Sequence, residues 1–443
     1  MWLLPVFSLA SRVAAHVYYR LSVAGERVPK TGPALLVANH PNSLLDAVLV
    51  AATARRPVRF LAKAPLFSDR KVGWLVRGSG SIPVYRKVDE PAAMGRNTDM
   101  FRAVYEALGR GDAVGIFPEG ISHSDPSIAP LKTGAARMAL GAFALTNEPF
   151  PIVPVGLVFR QKDIFRSAAH VIVGTEVSWS DLASRGVDDQ EAVRELTGRI
   201  GDALRGVTVN LEQWADQPIA ECAVRIWEAA FEADRDWVER IARLEITTKL
   251  LVCVRAERSE VGLALVDDVA KHARRLDRFR LRPADLTADV SLKRATRWTL
   301  ARIPLFAIPA TLTAVVGYLL FWVPYQATGR IVGLFRTDPG QLSTYKLLVG
   351  IATYALWVLL VAAVAGLVVG ALVGLAILPL MPTVGMVGLT IRERWRGLWA
   401  DARRFFLLRS RGKQVRSLHD HQAKLAQRLK ALYDETLAKG TSG

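Results

Sequence analysis

Two long runs without any charged residue constrain this chain most strongly. Residues 303–329 form an uncharged run of 27 residues, and residues 347–391 form one of 45. About 20 apolar residues are enough for a helix to cross a hydrocarbon core roughly 30 Å thick. The first run therefore predicts one membrane-spanning helix. The second would measure about 68 Å as a single helix at 1.5 Å per residue, so we expect it to fold back, tilt or end in an interfacial stretch.

Proline and glycine positions indicate how the second run is divided. Pro379 and Pro382 favour a helix break, because proline removes a backbone donor and clashes with the preceding turn. Gly366, Gly370 and Gly374 recur at every fourth residue. Such a stripe of small residues lets two membrane helices approach closely.

The positive charge of the chain is concentrated beside these runs. The net charge is +17, and the last 52 residues carry 13 Lys+Arg against 5 Asp+Glu. Basic residues lie at both outer ends of the runs, which favours a cytoplasmic location for both ends of the membrane region and an even number of crossings. These residues are Lys293, Arg294, Arg297, Arg302, Arg392, Arg394 and Arg396. A basic chain can also bind nucleic acid, but the sequence has no nucleic-acid motif. We therefore expect a multi-pass integral membrane protein whose partner is a phospholipid membrane and not a nucleic acid.

The N-terminus and the cysteines narrow the class further. Residues 1–25 are apolar at helical spacing but lack the leading basic region and cleavage site of a signal peptide. They predict a helix that either lies in the membrane surface or packs against a core. Cys222 and Cys253 are too few for a disulfide framework and fit a reducing compartment. No group of residues has the spacing of metal ligands, so no metal is expected.

Between residues 33 and 175, short β-rich apolar runs alternate with helical patterns. This alternation predicts an α/β domain, in which helices flank a sheet and functional loops follow the strand ends. Beyond residue 178, charged amphipathic helices predominate. The predicted strands are 34–38, 58–62, 81–85, 113–117, 152–158 and 171–174, and the predicted helices include 95–109, 132–145, 189–206 and 219–256.

The segment 39–46 (NHPNSLLD) places a histidine six positions before an aspartate, an offset that no helical face accommodates. If His40 lies in the loop after a strand and Pro41 opens a helix, Asp46 can reach back and accept one ring N–H of His40. The other ring nitrogen would then be a base toward a hydroxyl group, as in a Ser-His-Asp triad. A histidine near an aspartate is more often structural, so the pair alone does not establish catalysis.

Three further segments carry candidate residues. In residues 115–123 (GIFPEGISH), a strand runs into a Pro-Glu-Gly turn. The backbone N–H groups of this turn could stabilise an oxyanion, and Glu119 could orient a substrate or hold the loop. In residues 80–87 (GSIPVYRK), Arg86 follows a strand and could bind a phosphate through its planar guanidinium. Residues 152–157 (IVPVGL) indicate a buried strand beside the substrate. Each segment alone is more typical of ordinary structure than of a functional site.

Together and in this order, the four segments resemble the glycerolipid acyltransferase superfamily, whose blocks read Asn-His…Asp, Gly-x-x-Phe-Ile-x-Arg, Phe-Pro-Glu-Gly and Val-Pro-Val. They cover residues 39–157 of this chain. Five residues separate His40 from Asp46 where the family usually has four, and the third block continues Ile-Ser-His instead of Thr-Arg-Ser. Both departures are similar to the fungal branch that acylates glycerol-3-phosphate or dihydroxyacetone phosphate, as is the Leu-Lys-x-Gly pattern at 131–134.

The resemblance implies a membrane-bound O-acyltransferase of glycerophospholipid synthesis, built on a mixed sheet flanked by helices. Its donor would be acyl-CoA or acyl carrier protein, its acceptor glycerol-3-phosphate or dihydroxyacetone phosphate, and it would need no cofactor. By position, His40 would be the general base and Asp46 its orienting partner. Substrate and phosphate binding would fall to Arg86, Glu119, Gly120, Ser122, His123 and Lys132.

Three alternatives stay open. One is a sibling enzyme that acylates 1-acylglycerol-3-phosphate or another lysophospholipid, another is a catalytically silent membrane scaffold, and the third is a nucleic-acid-binding protein. The catalytic domain is expected on the cytoplasmic face. The expected organisation is an N-terminal helix (1–25), an acyltransferase domain (26–178), a helical extension (179–300), a transmembrane region of two or more spans (301–391) and a basic helical tail (392–443).

Overall fold

The computed structural model describes residues 3–70, 73–85, 95, 97–231, 237–287, 307–335 and 340–440. Arg86 and the basic residues of 293–302 lie outside the described residues. The chain divides into two compact units. The first comprises Met1–Glu212, Asp236–Glu245 and Asp338–Thr344, and the second comprises Gln213–Arg235, Ile246–Thr337 and Tyr345–Gly443.

A seven-stranded sheet lies at the centre of the first unit, in the order β1-β7-β6-β2-β5-β3-β4. β6 and β7 are antiparallel, and the other neighbouring pairs are parallel. The sheet is therefore mixed, which confirms the predicted fold class. The strands are β1 Arg20–Gly25, β2 Ala34–Ala38, β3 Val58–Lys63, β4 Ile82–Val84, β5 Ala113–Ile116, β6 Ile152–Phe159 and β7 Ala168–Val173.

Helices flank this sheet, and β2 has helices α6 and α8 packed near it. All five residues of β2 are buried, as expected for a central parallel strand covered on both faces. The helices of the first unit are α1 Leu4–Tyr18, α2 Leu44–Ala54, α3 Pro65–Ser68, α4 Gly73–Gly78, α5 Asn97–Gly109, α6 Gly134–Thr146, α7 Ser180–Ala183 and α8 Gln190–Arg205.

The strand directions determine where polar loops meet. β3, β5, β2 and β6 are mutually parallel neighbours, so their carboxyl ends lie at one edge of the sheet. In parallel sheets this edge is where ligand-binding loops usually lie. The loops that follow β2, β5 and β6 therefore converge at this edge.

All six predicted strands are present, with ends shifted by no more than three residues. β1 was not predicted, because residues 20–25 were expected to continue the N-terminal helix. Helix α1 instead ends at Tyr18, and Arg20–Gly25 pairs in parallel with β7. Its mixed sequence RLSVAG and partly exposed position give little strand signal, and its pairing partner lies about 150 residues away, where local pattern carries no information.

The second unit is helical, with α9 Gln217–Ala230, α11 Glu260–Phe279, α12 Pro283–Leu286 and α16 Gly412–Gly440; α10 Trp237–Ala256 begins in the first unit and continues in the second. The predicted helix 219–256 is thus two helices, α9 and α10. Amphipathic faces of α9, α11 and α16 enclose a common apolar core, which includes Ile226, Leu265, Val269, Leu276, Leu418 and Leu425.

Three described helices are long and apolar enough to cross a membrane: α13 Ala307–Gly333, α14 Leu342–Val368 and α15 Ala371–Ser410. The 45-residue run folds back as expected, but the predicted break at Pro379 and Pro382 is wrong. Both prolines lie inside α15, and the chain turns at Gly370, whose φ is +136°. Glycine alone adopts this backbone conformation readily, whereas prolines are tolerated within apolar helices that pack on neighbours. The number of crossings stays a prediction.

The glycine stripe does bring helices together. A Cβ added at Gly374 would lie 2.9 Å from the Cα of Gly366, so α14 and α15 approach backbone to backbone beside the turn. A second close approach joins α13 and α15, where a Cβ added at Gly388 would lie 3.5 Å from the Cα of Gly317. Small residues at such points permit the van der Waals contact that drives helix association in lipid.

Candidate active site

The end of β2 carries His40 to the loop edge of the sheet. His40 Nδ1 lies 2.8 Å from Asp46 Oδ2, so the predicted contact is present. Asp46 is fully buried, whereas the His40 side chain is 20% exposed. Because Nδ1 faces the carboxylate, the proton belongs on Nδ1 and the lone pair on Nε2. The arrangement leaves Nε2 as the basic nitrogen of the pair.

The connection between the two residues differs from the expected one. Helix α2 begins at Leu44 and not at Pro41, so Asp46 lies in the first turn and residues 41–43 form a separate turn. Ser43 adopts φ +51° and ψ −125°, a conformation that residues with a Cβ rarely adopt. In this turn the backbone N–H of Asn42 donates to Asp46 Oδ2 at 2.6 Å. The turn accommodates five intervening residues while keeping the two side chains together.

Only one of the two carboxylate oxygens of Asp46 has hydrogen-bond partners among the described residues. His40 and Asn42 both reach Oδ2, while among the described residues Oδ1 has no hydrogen-bond partner. Burial raises the pKa of Asp46 above its ordinary value, because the charged carboxylate has lost its water, and the hydrogen bonds from His40 and Asn42 oppose this effect. The ionised form therefore carries a free-energy cost in the folded chain.

Asn39, the first residue of the block, secures the loop to β6. Its side-chain amide donates to Leu157 O at 3.1 Å, and its Oδ1 accepts the Leu157 N–H at 2.7 Å. The side chain thus replaces a missing backbone pair at the end of β2. This explains why the first and fourth sequence blocks occur together: the Val-Pro-Val strand supports the histidine loop.

Glu119 ties the Pro-Glu-Gly turn to the same loop. Its buried carboxylate accepts the His40 backbone N–H at 2.7 Å through Oε1 and the Ala129 N–H at 2.6 Å through Oε2, and it also contacts His123 Nε2. The His123 N–H donates to His40 O at 3.2 Å. Of the two roles that the sequence offered for Glu119, these contacts favour holding the loop.

An aromatic stack sets the plane of the imidazole. The ring of Phe117 lies 4.1 Å from that of His40 at an interplanar angle of 11°, and Phe60 stacks on Phe117 at 6.2 Å. A Cβ added at Gly115 would lie 2.5 Å from the Phe60 ring. The glycine and the phenylalanine of the third block therefore both serve to orient His40, which was not predicted from the sequence.

The other candidate residues lie around this loop. Ser122 Oγ accepts the Ser43 N–H at 3.0 Å and lies 3.2 Å from Ser43 Oγ, so it braces the turn before α2. Lys132 is exposed, and its ammonium lies beside Gly120. β4 runs parallel to β3 and ends at the same edge of the sheet, just before Arg86, which is outside the described residues.

The expectation that the turn presents free backbone N–H groups is not met at Gly120. Its N–H donates to Phe117 O at 3.0 Å, closing the turn on itself. Its φ is +71°, which makes glycine the residue of choice. No group of three or more His, Cys, Asp or Glu residues in the described ranges is placed to hold a metal ion.

Replacing Gly120 with alanine should destabilise the fold by about 1–2 kcal/mol, the cost of a Cβ in the left-handed region. The added Cβ would also lie 2.5 Å from Lys132 Nζ and displace that side chain. Denaturant unfolding measures the change. Gly198→Ala in α8, where the added Cβ meets nothing within 4 Å, is the control and should be stabilising. Equal effects of the two substitutions would contradict the conformational argument.

Replacing Glu119 with glutamine should cost about 1–3 kcal/mol, the range for a buried donor left unsatisfied. One oxygen becomes an NH₂ group, which then faces the N–H of His40 or of Ala129, so two donors oppose each other. Glu148→Gln, at an exposed position, should leave the free energy of unfolding unchanged. If Glu119→Gln unfolds like the parent chain, the carboxylate is not holding the loop.

Comparison with known proteins bears on the same region. The family model described as Acyltransferase matches residues 20–158. Glycerol-3-phosphate O-acyltransferase 2 of Saccharomyces cerevisiae is 32% identical over 36% of this chain and 21% of its own length. 1-acyl-sn-glycerol-3-phosphate acyltransferase BAT2, chloroplastic, of Brassica napus is 25% identical over 34% of this chain and 41% of its own length. The chain thus spans less than half the length of these relatives.

A solved structure also aligns with this chain. It is the 1-acyl-sn-glycerophosphate (LPA) acyltransferase PlsC from Thermotoga maritima, which matches 46% of this chain and 78% of its own at 19% identity and a TM-score of 0.34.

Proposed function

We propose that the chain transfers a fatty acyl group from a thioester to a hydroxyl group of a glycerol phosphate. The premise of this proposal is that residues 20–158 are an acyltransferase domain of the glycerolipid acyltransferase family. The observation that carries the proposal is the His40–Asp46 pair, with Asp46 buried and Nε2 of His40 left as a base. The Phe-Pro-Glu-Gly turn holds this pair through Glu119 and Phe117.

The proposed reaction is a direct transfer without an acyl-enzyme. His40 Nε2 takes the proton of the acceptor hydroxyl as its oxygen attacks the thioester carbonyl. The tetrahedral anion then collapses, the C–S bond breaks, and the leaving sulfur takes the proton from His40 Nε2, which releases a thiol and restores the neutral imidazole. Asp46 stabilises the imidazolium that forms between these steps. The exposed ammonium of Lys132, beside Gly120, is assigned to the negative charge of the bound substrate.

The acceptor we propose is glycerol-3-phosphate or dihydroxyacetone phosphate, with acyl-CoA or acyl carrier protein as the donor. The five-residue gap between His40 and Asp46 supports it, as does the name of the yeast relative, glycerol-3-phosphate O-acyltransferase 2. The Brassica napus relative, named for 1-acyl-sn-glycerol-3-phosphate, favours a lysophospholipid acceptor as the second candidate. Arg86 is proposed as a phosphate ligand on the basis of its position after β4.

We place the catalytic domain at the cytoplasmic surface of a membrane, anchored by α13, α14 and α15. Helix α1 supports this placement. One of its faces is buried, with Ala15 and Tyr18 in the core, and α1 packs on α2. Its opposite face exposes Val6, Leu9 and Val13 by 57–61%. An apolar stripe of this kind suits insertion into the interfacial region of a bilayer, so one helix can satisfy both of the predicted roles.

The test is thiol release from acyl-CoA by the protein in phospholipid vesicles, with glycerol-3-phosphate, dihydroxyacetone phosphate and 1-acylglycerol-3-phosphate as separate acceptors. Acyl carrier protein thioesters are compared as donors. We expect release that requires one of the first two acceptors, together with the matching acylated product. Release only with 1-acylglycerol-3-phosphate would establish the second candidate, and a folded protein that acylates none of them would refute both.

A further inference from the structure

Residues 338–344, which include the first residues of α14 (Leu342–Val368), belong to the first unit, whereas α13 and the rest of α14 belong to the second. Within this segment, residues 340 and 343 contact the histidine loop and its support. Gly340 O accepts a hydrogen bond from Ser43 Oγ at 3.0 Å, and Ser343 Oγ donates to Lys162 O at 2.9 Å. Ser343 is only 1% exposed.

The carbonyl oxygen of Lys162, to which Ser343 donates, accepts hydrogen bonds from several side chains near the His40–Asp46 pair. Lys162 O also accepts from the hydroxyl of Tyr19 and, at 3.4 Å, from Asn42 Nδ2. Asn42 in turn donates its backbone N–H to Asp46 Oδ2. Tyr19, Asn42 and Asp46 are all fully buried. Ser343 is therefore separated from Asp46 by only the Lys162 carbonyl and Asn42.

The side chain of Lys162 acts on the same loop from the other end. Its ammonium donates to Pro41 O at 2.7 Å and to Ser124 Oγ at 2.6 Å. The residue thus joins the histidine loop to the loop that follows Glu119. A hydroxyl that fixes the Lys162 backbone consequently restrains both loops.

We propose that Ser343, in the first turn of the apolar helix α14, is a positioning residue for the His40–Asp46 pair. It acts through the Lys162 carbonyl and Asn42, and Gly340 assists it by holding Ser43. The expected change in kcat rests on the proposed acyl transfer, whereas the expected restraint of the histidine loop does not. This role gives the start of α14 a part in the reaction geometry, in addition to the anchoring assigned to the apolar helices.

The neighbouring residue provides a matched control. The hydroxyl of Thr344 is also buried, but among the described residues it has no hydrogen-bond partner. Ser343→Ala and the nearly isosteric Ser343→Cys remove or weaken the donor to Lys162, Ser343→Thr keeps a hydroxyl, and Thr344→Val removes a hydroxyl that bonds nothing. The four variants are compared as full chains in phospholipid vesicles.

The first measurement is hydrogen–deuterium exchange of a peptide covering residues 39–46, which contains the Asn42 and His40 amides that donate to Asp46 and Glu119. Ser343→Ala and Ser343→Cys should exchange faster than the parent chain, because the loop opens more often. Ser343→Thr and Thr344→Val should match the parent. Unchanged exchange in Ser343→Ala and Ser343→Cys would overturn the proposal, whether or not the protein acylates any acceptor.

The second measurement separates kcat from KM for the acyl acceptor. A small displacement of the general base from its productive position lowers kcat. We therefore expect kcat to fall about tenfold in Ser343→Ala, with KM within about twofold of the parent. Ser343→Thr should recover most of kcat. An equal loss in Thr344→Val, or a change confined to KM, would overturn the positioning role. Absence of transfer by the parent chain refutes the proposed function instead, and the exchange experiment then decides the inference.

Discussion

Replacing His40 with asparagine is expected to lower the rate of acyl transfer by about 10²–10⁴-fold, the usual contribution of a general base, while the chain still folds. The asparagine Nδ2 occupies nearly the position of His40 Nδ1, so it can keep the hydrogen bond to Asp46. It has no atom at the position of Nε2 and no basic nitrogen. Alanine is the less informative substitution, because it removes the ring donor from a buried carboxylate and so also destabilises the fold.

Two further histidines make this prediction specific. His419 is 48% exposed and lies 3.4 Å from the neighbouring Asp420, so His419→Asn should transfer acyl groups at the parent rate. His123 is the other histidine beside the site and contacts Glu119. His123→Asn should weaken the loop but retain measurable transfer. A full loss in His123→Asn with normal activity in His40→Asn would show that the base is misassigned, and unchanged function in both would favour the silent scaffold.

The fold of the catalytic domain was largely predictable, because its central strands are short apolar runs bounded by turn residues. β2, β5 and β6 appear within one residue of their predicted ends. The contact between His40 and Asp46 was also predictable, since a histidine just after a strand and an aspartate just inside the next helix must lie at the same sheet edge. Local pattern suffices where the contacts themselves are local.

The parts that were not predicted depend on contacts between distant residues. Glu119 was expected to face either the substrate or the loop, and only the positions of His40 and Ala129 decide between them. The supporting role of Lys162, in a loop after β6, has no sequence signal because its partners lie about 40 to 180 residues away along the chain. At the helix turn, the prolines gave the stronger local signal, but the backbone conformation of Gly370 determined the outcome.

Replacing Asp46 with asparagine is expected to reduce acyl transfer by about 10²–10⁴-fold, the range over which an orienting carboxylate affects a catalytic histidine. Asparagine can still accept the His40 N–H, but a neutral amide does not stabilise the imidazolium that forms during the reaction. The same substitution should leave the midpoint of thermal unfolding at neutral pH unchanged or higher. Activity and stability are therefore expected to move independently.

The stability half of this prediction follows from the raised pKa of Asp46. A folded-state pKa above the unfolded value means that the stabilisation from protonated Asp46 is complete below the unfolded pKa and is lost as pH rises through the folded pKa. At neutral pH the ionised, half-satisfied carboxylate thus opposes folding, and asparagine removes that cost. The advantage of Asp46→Asn should shrink as the pH falls toward ~4.

Asp125→Asn is the control for both measurements, because Asp125 is 73% exposed and contacts His123 at 3.2 Å. It should change neither the transfer rate nor the unfolding midpoint by a measurable amount. If Asp46→Asn unfolds well below the parent at neutral pH and the gap closes on acidification, the ionised carboxylate stabilises the fold. The buried pair would then be primarily a structural ion pair, and the assignment of His40 as a base oriented by Asp46 would lose its physical support.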